Sequence, residues 1–333
     1  MLADVIIEAA GGAEDKASFG AITALGAAIR RAGRFDLAPG VVASARTVKN
    51  SPVRSQLLAL PLCRLPFAAT WFEWPATDEL YRSDEGSSPE RPTPVRVGAL
   101  VETDETRQRG TMTLAWAHRH QGVGMCLLSI TFDWSAEPGE ISDLERDFLG
   151  AQGRSIEDRC NDGDRLHPAF RTARDEDIIA HRMRTGVIWC PFMEDLGRAF
   201  ETALGARPGP GTPPWEAAVA DITGEPGTVR AVIMLLNSRN ATISEYVPAP
   251  ERLNVQRVKR RKAPLLDRTT VRIRLSRSEV ARAASPGKRE ANRQHLVRGH
   301  FKLRRSGIYW WSDHERGDPA LGVLAGQDYR IDP

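Results

Sequence analysis

The sequence predicts an α+β protein: an antiparallel sheet packed with helices, followed by a C-terminal basic β-rich module ending in a hairpin. Three observations carry this reading. Much of residues 56 to 134 reads as short strand-like runs separated by turn signals, the pattern of an antiparallel meander. Residues 18 to 34 and 140 to 205 instead carry apolar residues at helical spacing. Charge is also uneven. From Glu251 to the end there are 20 Lys and Arg against 9 Asp and Glu, a balance of +11, so the first 250 residues carry −8 of the total of +3.

At 333 residues with 27% charged and 41% hydrophobic side chains, the chain can bury a sizeable core and has the composition of an ordinary globular protein. No run reaches the ~18 apolar residues of a membrane span, and MLADVIIEAAGG lacks the basic and apolar regions of a signal peptide. Neither is expected. Cys63, Cys126, Cys160 and Cys190 are scattered singly without a C-x-x-C pair. That excludes zinc-ribbon and thioredoxin-like motifs and predicts reduced thiols in a cytoplasmic setting. The G-x-x-x-x-G-K-[ST] and G-x-S-x-G motifs are absent, so ATPase and α/β-hydrolase chemistry are not indicated and no cofactor is expected.

The elements follow in order. SFGAITALGAAIRRAGR predicts a packing helix, capped by Ser18 and ended by Gly33. Pro61 and Pro66 prevent the next apolar stretch from forming one long helix. TWFEWP, PVRVGALVET, TMTLAWAHRH and GMCLLSITFDW read as strands, with turns at 104 to 110 and 121 to 124 and an exposed loop at 82 to 94. His118 and His120 share a face as an H-x-H, with no third ligand at a suitable spacing. ISDLERDFL predicts a helix, and residues 174 to 205 predict two helices separated near Trp189-Cys190-Pro191. Glu176, Asp177 and His181 lie along the first of these, as on an ordinary surface helix. ARPGPGTPPW marks a boundary, dividing a body at 1–205 from a module at 206–333. VRAVIMLL suits a buried helix or a strand, ATISEYV a strand, and ERLNVQRVK a basic helix. In TTVRIRLS, alternation turns Val271, Ile273 and Leu275 one way and Arg272 and Arg274 the other.

Residues 295 to 318, HLVRGHFKLRRSGIYWWSDHERGD, gather three histidines, four arginines and a lysine around three adjacent aromatics. The stretch predicts a β-hairpin turning at Arg-Arg-Ser-Gly. One face collects Val297, Phe301, Leu303, Ile308 and Trp310 for the core. The other presents Arg298, His300, Lys302, Arg304, Tyr309 and Trp311. Cations there would neutralise phosphates, and the rings would offer stacking surfaces. Arg272, Arg274 and the Arg257 to Lys262 cluster would extend a continuous basic surface. The opposite expectation is that the basic end docks on the acidic body and is neutralised there. A catalytic reading would use His295, His300 and His314 with Asp313 or Asp318, His300 facing Asp313 across the hairpin.

LLNSRN (235 to 240), ERLNVQRVKRRKAPLL (251 to 266) and VRGHF…YWW..H.RG (297 to 317) resemble the C-terminal part of phage and prophage proteins that carry no established activity. The likeness covers about the last 100 residues, and LPF..TWFEWP extends it. This chain has Lys262-Ala263-Pro264 where a glycine-containing form is common. The resemblance implies a mobile-element context in a bacterial host cytoplasm. The expected function is a non-enzymatic accessory protein binding DNA or RNA. The rivals are a host-directed protein that binds and inhibits a bacterial protein, and a metal-dependent nuclease.

Overall fold

The computed structural model describes residues 1–9, 16–49, 56, 59–76, 94–118, 122–134, 185–222, 225–274, 293–297, 299–311, 314–316 and 318–323. Two helices, α1 (Leu2–Ala9) and α2 (Lys16–Arg31), precede β1 (Gly33–Leu37) and α3 (Pro39–Lys49). The meander is β2 (Ala69–Pro75), β3 (Pro94–Thr103), β4 (Arg109–His118) and β5 (Gly122–Asp133). After β6 (Thr185–Trp189) come α4 (Glu194–Leu204), α5 (Pro213–Ile222), α6 (Glu225–Leu236), β7 (Thr242–Val247), α7 (Glu251–Lys259) and β8 (Arg268–Ile273). The C-terminal strands are β9 (Arg293–Val297), β10 (His300–Arg304), β11 (Gly307–Trp311), β12 (His314–Arg316) and β13 (Asp318–Val323).

The fold is α+β, and its centre is one eight-stranded sheet in the order β6-β5-β4-β3-β2-β1-β8-β7. The expected meander pairs antiparallel from β2 through β5, and β1 lies parallel to both β2 and β8. β7 and β8, which follow the Pro/Gly-rich stretch at 206–215, thus belong to the same sheet as the meander. Thr185–Trp189 corrects the expectation of helix before Pro191: it pairs antiparallel with β5, and after a 3-10 turn at Pro191–Met193 the α-helix begins at Glu194. VRAVIMLL is helical, within α6. The predicted helices at 140–184 and the Glu176, Asp177 and His181 group lie outside the described residues.

Period-two alternation gives the sheet two apolar faces. Phe72, Trp74, Val97, Met112, Leu114 and Ile130 join a core with α3 and α6 residues. Trp71, Leu100 and Ala115 face the other way, under α1 and α2. Gly98 sits on that second side because Trp71 fills the space: a Cβ there would lie 2.2 Å from the indole. No described helix is long and apolar enough to cross a membrane.

Buried charge organises the second face. Glu73 is fully buried and accepts from the Leu2 and Ala3 amides at 3.0 and 2.9 Å, from Trp71 Nε1 at 2.9 Å and from Arg96 Nη2 at 2.7 Å. The carboxylate therefore meets the positive end of α1 and a guanidinium together, which offsets the desolvation of a lone charge. Arg96 Nη2 also reaches Asp36 at 2.9 Å. Arg34 donates to the Ile29, Arg30 and Ala32 carbonyls at the end of α2 and pairs with Asp267, so β1 is fastened to the start of β8.

Candidate nucleic-acid interface

The hairpin forms as its alternation predicts. Its register pairs His300 with Trp311, Phe301 with Trp310, Lys302 with Tyr309, Leu303 with Ile308 and Arg304 with Gly307. Gly307 adopts φ = 127°, a conformation that side-chain-bearing residues rarely take, as the chain reverses through Arg305-Ser306. A Cβ there would also lie 3.1 Å from Arg239 Nε. The chain continues past the hairpin: β9 lies between β12 and β13 in a separate three-stranded sheet.

The apolar face is docked, not free. Phe301, Ile308 and Trp310 belong to the core built on the α3 and α6 side. Leu303 departs from the expected core set, because at the hairpin tip it remains 44% exposed. The backbone fastens as well. Ser238 bridges Ile308, and the Arg239 amide donates to the Ile308 carbonyl at 3.0 Å. Asn240 then clasps Trp310 from both sides: its Oδ1 accepts the Trp310 amide at 2.9 Å, and its Nδ2 donates to the Trp310 carbonyl at 2.7 Å. A single side chain thus satisfies a strand residue's donor and acceptor as a neighbouring strand would.

The same device recurs twice, in the LLNSRN and ERLNVQRVKRRKAPLL segments. Asn237 accepts from the Arg64 amide and donates to its carbonyl, at 3.1 and 2.9 Å. Asn254 does so with Leu265, at 2.7 and 2.9 Å. These asparagines were not among the residues singled out by composition, because a clasp depends on a partner distant in sequence. Asn237 and Asn240 follow the apolar helix α6, where capping and turn chemistry favour an amide residue, whereas Asn254 lies within α7 and carries no such local signal.

The outer face carries His300, Lys302, Arg304, Tyr309 and Trp311, as expected. Lys302 Nζ lies 3.7 Å from the Trp311 ring centroid, and the Arg304 guanidinium 5.4 Å from that of Tyr309. His300 stacks on Trp311 with centroids 6.3 Å apart. Trp311 is 39% exposed, and Ser306 Oγ shares a hydrogen bond of 3.0 Å with the Tyr309 hydroxyl. Across the hairpin His300 faces Trp311, not Asp313, which corrects the pairing expected for a catalytic reading. Arg305, in the turn, adds an exposed cation that the face assignment omitted. Among the described residues, no carboxylate lies within ion-pair distance of Lys302, Arg304 or Arg305. The rings brace Lys302 and Arg304, whose charge no described carboxylate matches.

The remaining predicted residues distribute differently. Arg298 lies outside the described residues, as do His120 and Asp313. Arg272 and Arg274 are exposed, but alternation on β8 turns Arg272 away from Val271, which is buried in the core that also receives the hairpin. Arg272 therefore occupies the opposite face of the sheet from that core. The Arg257 to Lys262 cluster is divided. Arg257 and Lys262 pair with Glu8 at 2.8 and 3.2 Å, and further on Arg268 approaches Asp36 at 3.7 Å. Part of the basic end is thus neutralised on the acidic body. Among the described residues, buried His118 Nδ1 has no hydrogen-bond partner, and no group of three His, Cys, Asp or Glu side chains is arranged to hold a metal.

Comparison with known protein families, curated proteins and solved structures finds no match to this chain.

Proposed function

We propose that this protein binds nucleic acid through the outer face of the β10–β11 hairpin, as a phage- or prophage-type accessory protein in a bacterial cytoplasm. One observation carries the reading: Lys302, Arg304 and Arg305 stand unmatched by any described carboxylate on a face whose other side is fastened into the core. Holding the cations in place before binding reduces the ordering cost of contact with a polyanion. Phosphates are the first contact. A base stacks on Trp311 when Lys302 leaves the ring for a phosphate, and base stacking of this kind contributes about 1–3 kcal/mol per base. By sequence alternation Arg298 shares the outer face and would add charge to it.

A gel-shift panel of single- and double-stranded DNA and RNA tests this, with K302E/R304E and W311A as variants. The wild-type chain is expected to shift nucleic acid at low salt, with affinity falling steeply as salt rises. K302E/R304E lowers affinity and flattens that salt dependence. No shift with any nucleic acid at low salt refutes the proposal. A pull-down surviving high salt and nuclease treatment supports instead a protein that binds and inhibits a host protein. Divalent-metal-dependent cleavage lost in H300A supports the nuclease reading.

A further inference from the structure

Helix α7 has no buried residue, and Leu253, Val255 and Val258 remain 46%, 56% and 59% exposed. Burial of an apolar face therefore does not explain its position. Side-chain clasps do. Asn254 holds Leu265, and Arg257 donates to the Ala263 carbonyl at 2.8 Å and pairs with Glu8. Asn254 and Arg257 are three residues apart and mark the inner side of the helix. The opposite ridge carries Arg252, Gln256 and Lys259 at i, i+4 and i+7, all exposed. Arg260 and Arg261 follow, also exposed. Arg261 has φ = 57°, the left-handed position after a helix where glycine is favoured, yet the chain places a cation there. Among the described residues, none of Arg252, Lys259, Arg260 and Arg261 has a carboxylate partner.

We infer that α7 is a second nucleic-acid contact, entering the major groove of a duplex. This rests on the proposed hairpin function and adds the form of nucleic acid to it. A helix fits a groove about 12 Å wide, and Arg or Lys with guanine and Gln with adenine are the side-chain pairings that this groove presents. Charge selects an anionic occupant, and a ridge of Arg, Gln and Lys flanked by Val255 suits base edges. α7 is tied to α1 on the second face of the sheet, through Glu8, whereas the hairpin docks on the α3 and α6 side, so α7 makes its duplex contact on a different side of the molecule from the hairpin.

Fluorescence anisotropy with the full chain tests this, using a labelled duplex of about two helical turns and its separated single strand. R252E/K259E alters only exposed side chains and is compared with K302E/R304E and wild type, with circular dichroism confirming the fold. The expected result is duplex binding weakened about tenfold or more, with the slope of log affinity against log salt reduced by up to about two, according to how many of the lost cations also neutralise phosphate. Single-strand binding, carried by the hairpin, stays within about twofold of wild type. Wild-type duplex affinity in R252E/K259E, with loss in K302E/R304E, overturns the role of α7 and leaves the hairpin reading standing. Absence of binding by wild type to either form overturns both. If R252E/K259E changes capture by phosphatidylserine vesicles but not by duplex, α7 is a membrane contact and the inference fails.

Discussion

Replacing Asn240 with alanine isolates the clasp that sets the hairpin in place. The substitution removes two hydrogen bonds, of 2.9 and 2.7 Å, to the Trp310 backbone and leaves the Trp310 indole in the core. At about 1 kcal/mol net for each bond, the loss is about 2 kcal/mol. That corresponds to about a 30-fold rise in the equilibrium for local opening at Trp310. Hydrogen exchange at the Trp310 amide reads this directly, under conditions where exchange follows the opening equilibrium. N240D retains the acceptor but sets a second oxygen against the Trp310 carbonyl, and is expected to open the site at least as much. Both variants should also weaken nucleic-acid binding, because Lys302 and Arg304 are carried on the same two strands. Unchanged Trp310 exchange in N240A refutes a stabilising role for the amide clasp at the hairpin.

Further outcomes follow from the same geometry. E73Q places an amide where a buried carboxylate accepts four hydrogen bonds, and is expected to cost about 3–5 kcal/mol in urea unfolding, the range for breaking a buried ion pair. The Glu8 carboxyl is held below the usual glutamate range by hydrogen bonds from Arg257 and then Lys262, and that of Asp267 is lowered by Tyr246 and Arg34. A lowered folded-state pKa contributes stability above the unfolded value and loses it as pH falls through the folded value, so E8Q and D267N should flatten the acid limb of a stability–pH profile. Burial pushes the Cys63 thiol up to about 12, so alkylation at pH 8, followed by mass spectrometry of its peptide, should detect no modification until the chain unfolds. W310A should destabilise by about 3–5 kcal/mol through its core cavity, whereas W311A, 39% exposed, should cost far less while weakening binding.

Strand identity in the meander was legible because TWFEWP, PVRVGALVET and GMCLLSITFDW carry local signals that their pairings then satisfy. The hairpin was legible to the level of which residues share a face, since one turn and strict alternation determine both. Which cations of the basic C-terminal end stay unmatched was not, because Arg257 and Lys262 find Glu8 through a contact spanning most of the chain. Leu303 shows the converse limit: alternation gives the face, but the depth of burial depends on what covers it.

By itself, then, the order of residues determined the α+β class, the period of each strongly patterned element and the division of charge between the two ends. Only the tertiary structure decided that GRFDL becomes the parallel strand β1 joining the meander to β8, a pairing between residues more than 230 apart. It also decided that three asparagines serve as backbone clasps and that α7 stands exposed. The physical reason is range. Periodicity and turn chemistry act over a few residues, whereas strand order, clasps and ion pairs depend on which distant segments meet once the apolar faces close.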